Sequence, residues 1–189
     1  RGGDRYDFSL RETQTYEIIE DVAQRKSEIG LLYLNDFNRT ALQKLLRGAD
    51  LDFTPLFTAH AHVFLSSDHP LSGARAVSFD DLASYPYLSF EQGDHNSFYF
   101  SEEIFSPAVR SKNIRVRDRA TLFNLLIGLQ GYTVCSGVID SKLNGENIVA
   151  VPLTGVAPME IGYILPAGVQ PGSLCRAYIE NLKQYVPID

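Results

Sequence analysis

Ile29-Gly30-Leu31-Leu32-Tyr33-Leu34, closed by Asn35-Asp36, is a nearly unbroken apolar run. A run of this kind is expected of a parallel strand covered on both faces, and it points to an α/β fold. Upstream, residues 7–11 read as a strand, and residues 15–25 as a helix with Tyr16, Ile19 and Ala23 on one face, Thr15 as N-cap and Glu17 in the first turn. Downstream, a short amphipathic helix is expected at 40–46, with Gly48 as its stop, then a strand at 62–65 and a turn through Ser66-Ser67-Asp68-His69-Pro70-Leu71. After a short helix at 79–84 the scheme repeats. Strands are expected at 87–90, 114–117 and 132–135, with helices at 97–105 and 121–130 between them. The second of these helices carries Leu122, Leu125, Leu126 and Leu129 at spacing 0, 3, 4 and 7. Strands at 148–153 and 160–165 and a helix at 173–185, with Leu174, Tyr178, Leu182 and Tyr185 as its apolar face, complete the reading. Two β-α-β-α-β units with a late strand and helix left over imply two interleaved lobes with a largely parallel sheet.

Composition narrows the function. The 189 residues are 44% apolar and 21% charged, which excludes disorder, collagen and coiled coil. A chain of this length buries about 70% of its unfolded surface without needing metals or disulfides. Its net charge of −6 makes phosphate backbones repulsive to the chain as a whole. The one basic cluster, Arg110, Lys112, Arg115, Arg117 and Arg119, reads as a solvated strand face rather than a nucleic-acid surface. Cys135 and Cys175 show no C-x-x-C spacing, so a reducing cytoplasm is expected, and no apolar run approaches the roughly 20 residues of a membrane span. The first residue is Arg1, not Met, so the chain is expected to be part of a longer product.

In open α/β sheets, ligands bind at the loops that follow the strands. Those loops are Glu12 to Thr15, Asn35-Asp36, Glu91 to Phe98, Asp118 to Thr121, and Ser136-Gly137. They are rich in hydroxyls and amides, although each such group just before a helix also serves to cap that helix. The stretch 89–100 is the richest, combining Glu91, Asp94, His95, Asn96 and Ser97 with Phe98, Tyr99 and Phe100. Its acidic residues oppose a purely anionic ligand, so a neutral polar or zwitterionic one is expected. His60-x-His62 places two imidazoles on one strand face without a third ligand nearby, so no metal is expected. There is no G-x-S-x-G, H-E-x-x-H or P-loop, and no cofactor is expected. Cys135 at a strand end leaves redox sensing open beside the commoner reading as a core thiol.

The order of segments resembles the effector-binding domain of LysR-type transcriptional regulators, which share the fold of type 2 periplasmic binding proteins. The resemblance is carried by Phe8-Ser9-Leu10-Arg11-Glu12-Thr13-Gln14-Thr15, by Ser27-Glu28-Ile29-Gly30-Leu31-Leu32 and by residues 125–137. Most specific are Ser67-Asp68-His69-Pro70-Leu71 and Val77-Ser78-Phe79-Asp80-Asp81-Leu82-Ala83-Ser84-Tyr85-Pro86. The family pattern opens with a strand and long helix, and both are expected to lie ahead of Arg1, outside this sequence. Gly128, Gly131 and Gly137-Val138 stand where the family has Gly-x-Gly and a closing Pro, and the DNA-reading helix-turn-helix is also absent.

The resemblance implies two interleaved Rossmann-like lobes with a ligand cleft between them. Residues 1–86 and 160–189 would form lobe I and residues 87–159 lobe II, with crossings near 85–87 and 158–160. It implies effector contacts from Thr13, Thr15 and Asn35 in the first lobe, and from Asn96, Ser97, Phe98, Thr121 and Ser136 in the second. Arg119 is a candidate for a ligand carboxylate. The implied protein is a cytoplasmic sensor and not an enzyme. It would be a homodimer or homotetramer that meets a small polar or zwitterionic metabolite, no membrane, and DNA only through a segment outside this sequence. The alternatives are a solute-binding protein of a transport system and an enzyme on the same bilobal fold.

Overall fold

The decisive apolar run forms a strand, β1 (Gly30–Leu34), yet its burial alternates: Gly30, Leu32 and Leu34 are buried while Leu31 is exposed. The reason is that helices cover only one face of its sheet. In the computed structural model, which describes residues 7–91, 100, 111–138 and 145–185, β1 is an edge strand paired antiparallel with β8 (Met159–Pro166). On the other side of β8 lies β2 (Leu51–Ala59), giving the order β1-β8-β2. Helices α1 (Thr15–Ala23) and α2 (Arg39–Gly48) lay Ile19, Val22, Leu42 and Leu46 against Leu32, Leu34, Leu51 and Ile164, forming one core cluster.

Strand β2 had no counterpart in the sequence reading, because Pro55 interrupts it. It tolerates the proline as an edge strand, and its register shifts between Pro55 and Phe57. Conversely, residues 7–14 form no strand, and Phe8 and Leu10 are exposed. A strand needs a ladder partner, and among the described residues none pairs with this segment. An ion pair from Arg11 to the buried Asp21 ties it to α1 instead.

The second sheet has β3 (His62–Ser66) at its centre, antiparallel to β6 (Thr133–Cys135) and to β7 (Ile148–Pro152). Both faces of β3 are covered, by clusters around Val63 and Leu65 on one side and around Phe64 on the other, so its apolar run does not alternate. Strands β4 (Tyr87–Phe90) and β5 (Asn113–Val116) pair in parallel, and a bridge from Tyr87 to Tyr132 joins them to this sheet. The expected largely parallel sheet is thus corrected. β7 and β8 return through the sheets running against their neighbours, and no local pattern announces such long-range pairings.

Helix α3 (Arg119–Gly128) buries Leu122 and Leu126, half-buries Leu125 and leaves Leu129 exposed. The expected helix at 79–84 is a run of turns. Ser78 and Asp81 exchange capping bonds, but Ala83 and Tyr85 donate only three residues back, and Pro86 ends the segment before a second turn can form. Helix α4 (Ser173–Leu182) is rotated from expectation. Cys175 and Ile179 are buried, whereas Leu174 and Tyr178 are exposed. Both pairs have i, i+4 spacing, so periodicity alone does not choose between them. Among the described residues no helix is long and apolar enough to cross a membrane.

Candidate functional site

The first loop of the site is the entry to α1. Gln14, not Thr15, occupies the N-cap position, and its side chain makes no capping bond. Thr15 is the first helical residue and is buried; the Thr13 hydroxyl donates to Glu17 one turn on. Asn35, expected as a ligand contact, is buried and engaged by the chain itself. Its Oδ1 accepts from the amides of Phe37 and Asn38 at 3.0 and 2.9 Å, while Asn38 Oδ1 accepts from the Asn35 amide at 2.8 Å. This reciprocal turn opens α2, so capping accounts for its acceptor oxygen.

In the second group of loops, Asp118 caps α3 by accepting from the Thr121 amide at 2.8 Å. The Thr121 amide and hydroxyl hold the Asp118 carboxyl below its usual range. Arg117 forks onto Glu91 at the end of β4, with contacts of 2.6 and 3.3 Å, and this guanidinium keeps the Glu91 carboxyl low. Both partners are solvated, so the pair orients Glu91 more than it stabilises the fold. Arg119 stands in the first turn of α3, 6.0 Å over the Phe123 ring, and no carboxylate pairs with it among the described residues.

The Arg119 charge reaches the end of β6, where it draws down the Cys135 thiol. Burial outweighs that pull and pushes the thiol up to about 12. A thiol so reluctant to ionise is a poor redox sensor; its Sγ lies 3.6 Å from the His62 carbonyl. Ser136 follows, its Oγ 3.5 Å from the Val138 amide. Gly137 has φ +77°, and a Cβ there would lie 2.3 Å from His62 Nδ1, so the turn requires glycine. That Nδ1 also lies 2.9 Å from the His60 carbonyl, and no metal-binding group of three side chains forms among the described residues. Asn96, Ser97 and Phe98, with all of the expected 97–105 helix except Phe100, lie outside the described residues.

The structure adds one link that the sequence reading missed. Gln14 Nε2 donates to the Glu91 carbonyl at 3.3 Å, joining the start of α1 to the carboxyl end of β4 across 77 positions. Two residues on, Tyr16 meets Phe100 edge to face at 5.7 Å. No sequence signal marks either contact, since glutamine is a weak N-cap and its partner is a backbone carbonyl. A separate recess lined by Arg25, Glu28, Pro166 and Gln170 lies at the amino end of β1, away from Asn35. Glu28 there accepts from the Gly172 amide at 2.8 Å, at the start of α4.

His69 lies in the turn that follows β3. It is 2% exposed, its ring lies 4.3 Å from that of Tyr85, and its Nδ1 accepts from the Leu71 amide at 3.0 Å. Among the described residues Nε2 has no hydrogen-bond partner, and burial lowers the pKa despite an opposing effect of the Gln130 backbone. Protonation would turn Nδ1 into a donor facing the Leu71 N–H. The unfolded chain takes up that proton near pH 6.5, before the folded one does, so stability is full above this value and falls as the pH drops below it. Urea melts between pH 8 and 5 are expected to show this loss, and a flatter profile in His69→Asn.

A model of the LysR substrate binding domain family matches residues 5–187. Among solved structures, HinK, a LysR family transcriptional regulator from Pseudomonas aeruginosa, superposes with TM-score 0.61 at 16% identity, covering 92% of this chain and 57% of that one. The effector binding domain of QuiR in complex with shikimate gives 0.60 at 17% identity, covering 94% of this chain and 80% of that one. The BenM effector binding domain with its effector benzoate gives 0.58 at 16%, covering 93% and 78%. No curated protein matches the sequence. At these identities the structural likeness establishes the fold, that of a periplasmic-binding-protein-like domain, and this chain spans only 57% of HinK.

Proposed function

The chain belongs to the LysR substrate binding domain family, and on that premise we propose that it binds a small polar or zwitterionic effector between two lobes and passes the event to a DNA-reading segment outside this sequence. The observation that carries the reading is the Gln14–Glu91 hydrogen bond, because it brings the loop that opens α1 opposite the carboxyl end of β4. One lobe is the β1-β8-β2 sheet with α1, α2 and α4; the other is the sheet around β3 with β4, β5 and α3. The crossings fall at 60–61 and 154–158, earlier than 85–87 on the outward path. What supports this is that β3 is hydrogen-bonded to β6 and β7.

Thr13, Thr15, Thr121, Ser136 and Arg119 are the proposed contacts among the described residues, with Asn96, Ser97 and Phe98 completing the second side. Arg119 supplies the fork for a carboxylate, and Glu91 favours a ligand that also carries an amine or hydroxyls. The whole protein is proposed to be a cytoplasmic homodimer or homotetramer without catalytic activity. Such a sensor works only if the effector binds its two conformations unequally.

A thermal-shift panel of amino acids, organic acids and aromatic metabolites tests the proposal. An effector at about a hundredfold over its Kd stabilises by about 2.7 kcal/mol, which raises Tm by about 5–10 °C at this size. Arg119→Ala is expected to weaken binding of a carboxylate effector by about tenfold or more, since its charged hydrogen bonds are lost. Conversion of the bound compound to product would contradict the proposal.

A further inference from the structure

We propose that Gln14 is a latch, holding the two lobes partly closed before any effector arrives. The N-cap position favours short side chains that bond back to their own helix. Gln14 does not do so; its longer amide leaves α1 without a side-chain cap and donates instead to the Glu91 carbonyl. The acceptor is held in place from two sides. The Glu91 amide donates to the Val116 carbonyl at 2.8 Å, and its carboxylate is forked by Arg117, so the carbonyl is presented from the fixed end of a strand pair and not from a swinging loop.

A second contact runs alongside the first. Tyr16, one helical position past Thr15, packs edge-on against Phe100, which also rests on the apolar cluster of the first lobe beside Ile18, Leu45 and Phe53. A polar and an aromatic contact thus both start from the first turn of α1. One neutral hydrogen bond shifts a two-state equilibrium by about two- to tenfold, enough to bias closure and weak enough for a ligand to override. An effector that offers its own acceptor at the start of α1 competes with the Glu91 carbonyl for the Gln14 amide. Effector chemistry would therefore be read partly as release or retention of this latch.

The inference rests on the two-lobed reading above, but its test uses no effector, so failure to find one leaves it standing or falling by itself. Nitroxide labels at Lys44→Cys on α2 and Asn124→Cys on α3, both exposed positions, report the lobe separation in the full chain by pulsed electron spin resonance. In Gln14→Ala the distribution is expected to broaden and its mean to lengthen by about 2 Å or more, the scale of a genuine domain rearrangement. Gln14→Asn separates the latch from capping, since asparagine caps α1 better but is one methylene too short to reach Glu91; it should open the lobes as alanine does. Arg117→Gln leaves α1 untouched and is expected to shift the distribution in the same direction, which keeps the test decisive if Gln14→Ala does not fold. Unchanged distances in the folded Gln14 variants, a wild-type distance in Gln14→Asn alone, or, where Gln14→Ala does not fold, an unchanged distance in Arg117→Gln would each overturn the proposal.

Discussion

Gly162→Ala is expected to destabilise the chain by about 3 kcal/mol and to lower Tm by about 10 °C. Gly162 lies in β8, the central strand of the first sheet, opposite Leu32 on one side and Pro55 on the other. A Cβ at this position would lie 2.4 Å from Phe53 Cζ and 2.5 Å from the Thr54 carbonyl oxygen. The phenyl ring can rotate away, but the carbonyl belongs to the neighbouring backbone, so β2 must move and its ladder to β8 with it. Gly48, where a Cβ meets nothing within 4 Å, is the control: Gly48→Ala should leave Tm unchanged or slightly raised. Scanning calorimetry of the two variants checks the contrast. Equal effects would mean that β2 and β8 are not packed as described.

Leu126→Ala is the second large effect, expected to cost about 3 kcal/mol. The side chain is fully buried in α3, in a cluster with Phe64, Leu88, Val116, Leu122 and Ile148. Its loss leaves a cavity between the helix and two strand pairs that a backbone shift cannot fill without dragging α3. Because Asp118, Arg119 and Thr121 sit on the first turn of the same helix, effector binding should weaken along with stability. Ile127→Ala, one position round at an exposed site, should change either quantity little. Urea titration measures the difference. An m-value equal to that of the parent chain would show that the loss is one of packing rather than of compactness.

The sequence was most legible where the burial of a segment depends on its own residues. His62 to Leu65 and Tyr87 to Phe90 are mostly apolar, are buried without alternation because both faces are covered, and form strands where expected. It was least legible where the outcome depends on a distant partner. β1 has an equally apolar sequence, but helices cover only the face that carries Leu32 and Leu34, so Leu31 on the other face is exposed. β2 hides behind Pro55, which only an edge position tolerates. In α4, Leu174 with Tyr178 and Cys175 with Ile179 are equally good stripes, and only the sheet beneath decides which is buried.

The site divides in the same way. Local chemistry flagged capping as the competing use of polar residues in these loops, and Asn35 and Asp118 are so used, in bonds that close within three residues. The Gln14–Glu91 bond, the feature that brings the two groups of loops together, depends on the tertiary fold and on a main-chain acceptor, and neither leaves a mark on the sequence.

The most direct test of the account is amide chemical-shift mapping of the chain titrated with the compounds that raise its Tm in the metabolite panel. The account predicts perturbations at Thr13 to Thr15, Glu91, Arg117 to Thr121 and Cys135 to Val138, on both sides of the Gln14–Glu91 link. Perturbations gathered instead at Arg25 to Glu28 and residues 165–171 would contradict it, placing the ligand in the recess at the far end of β1.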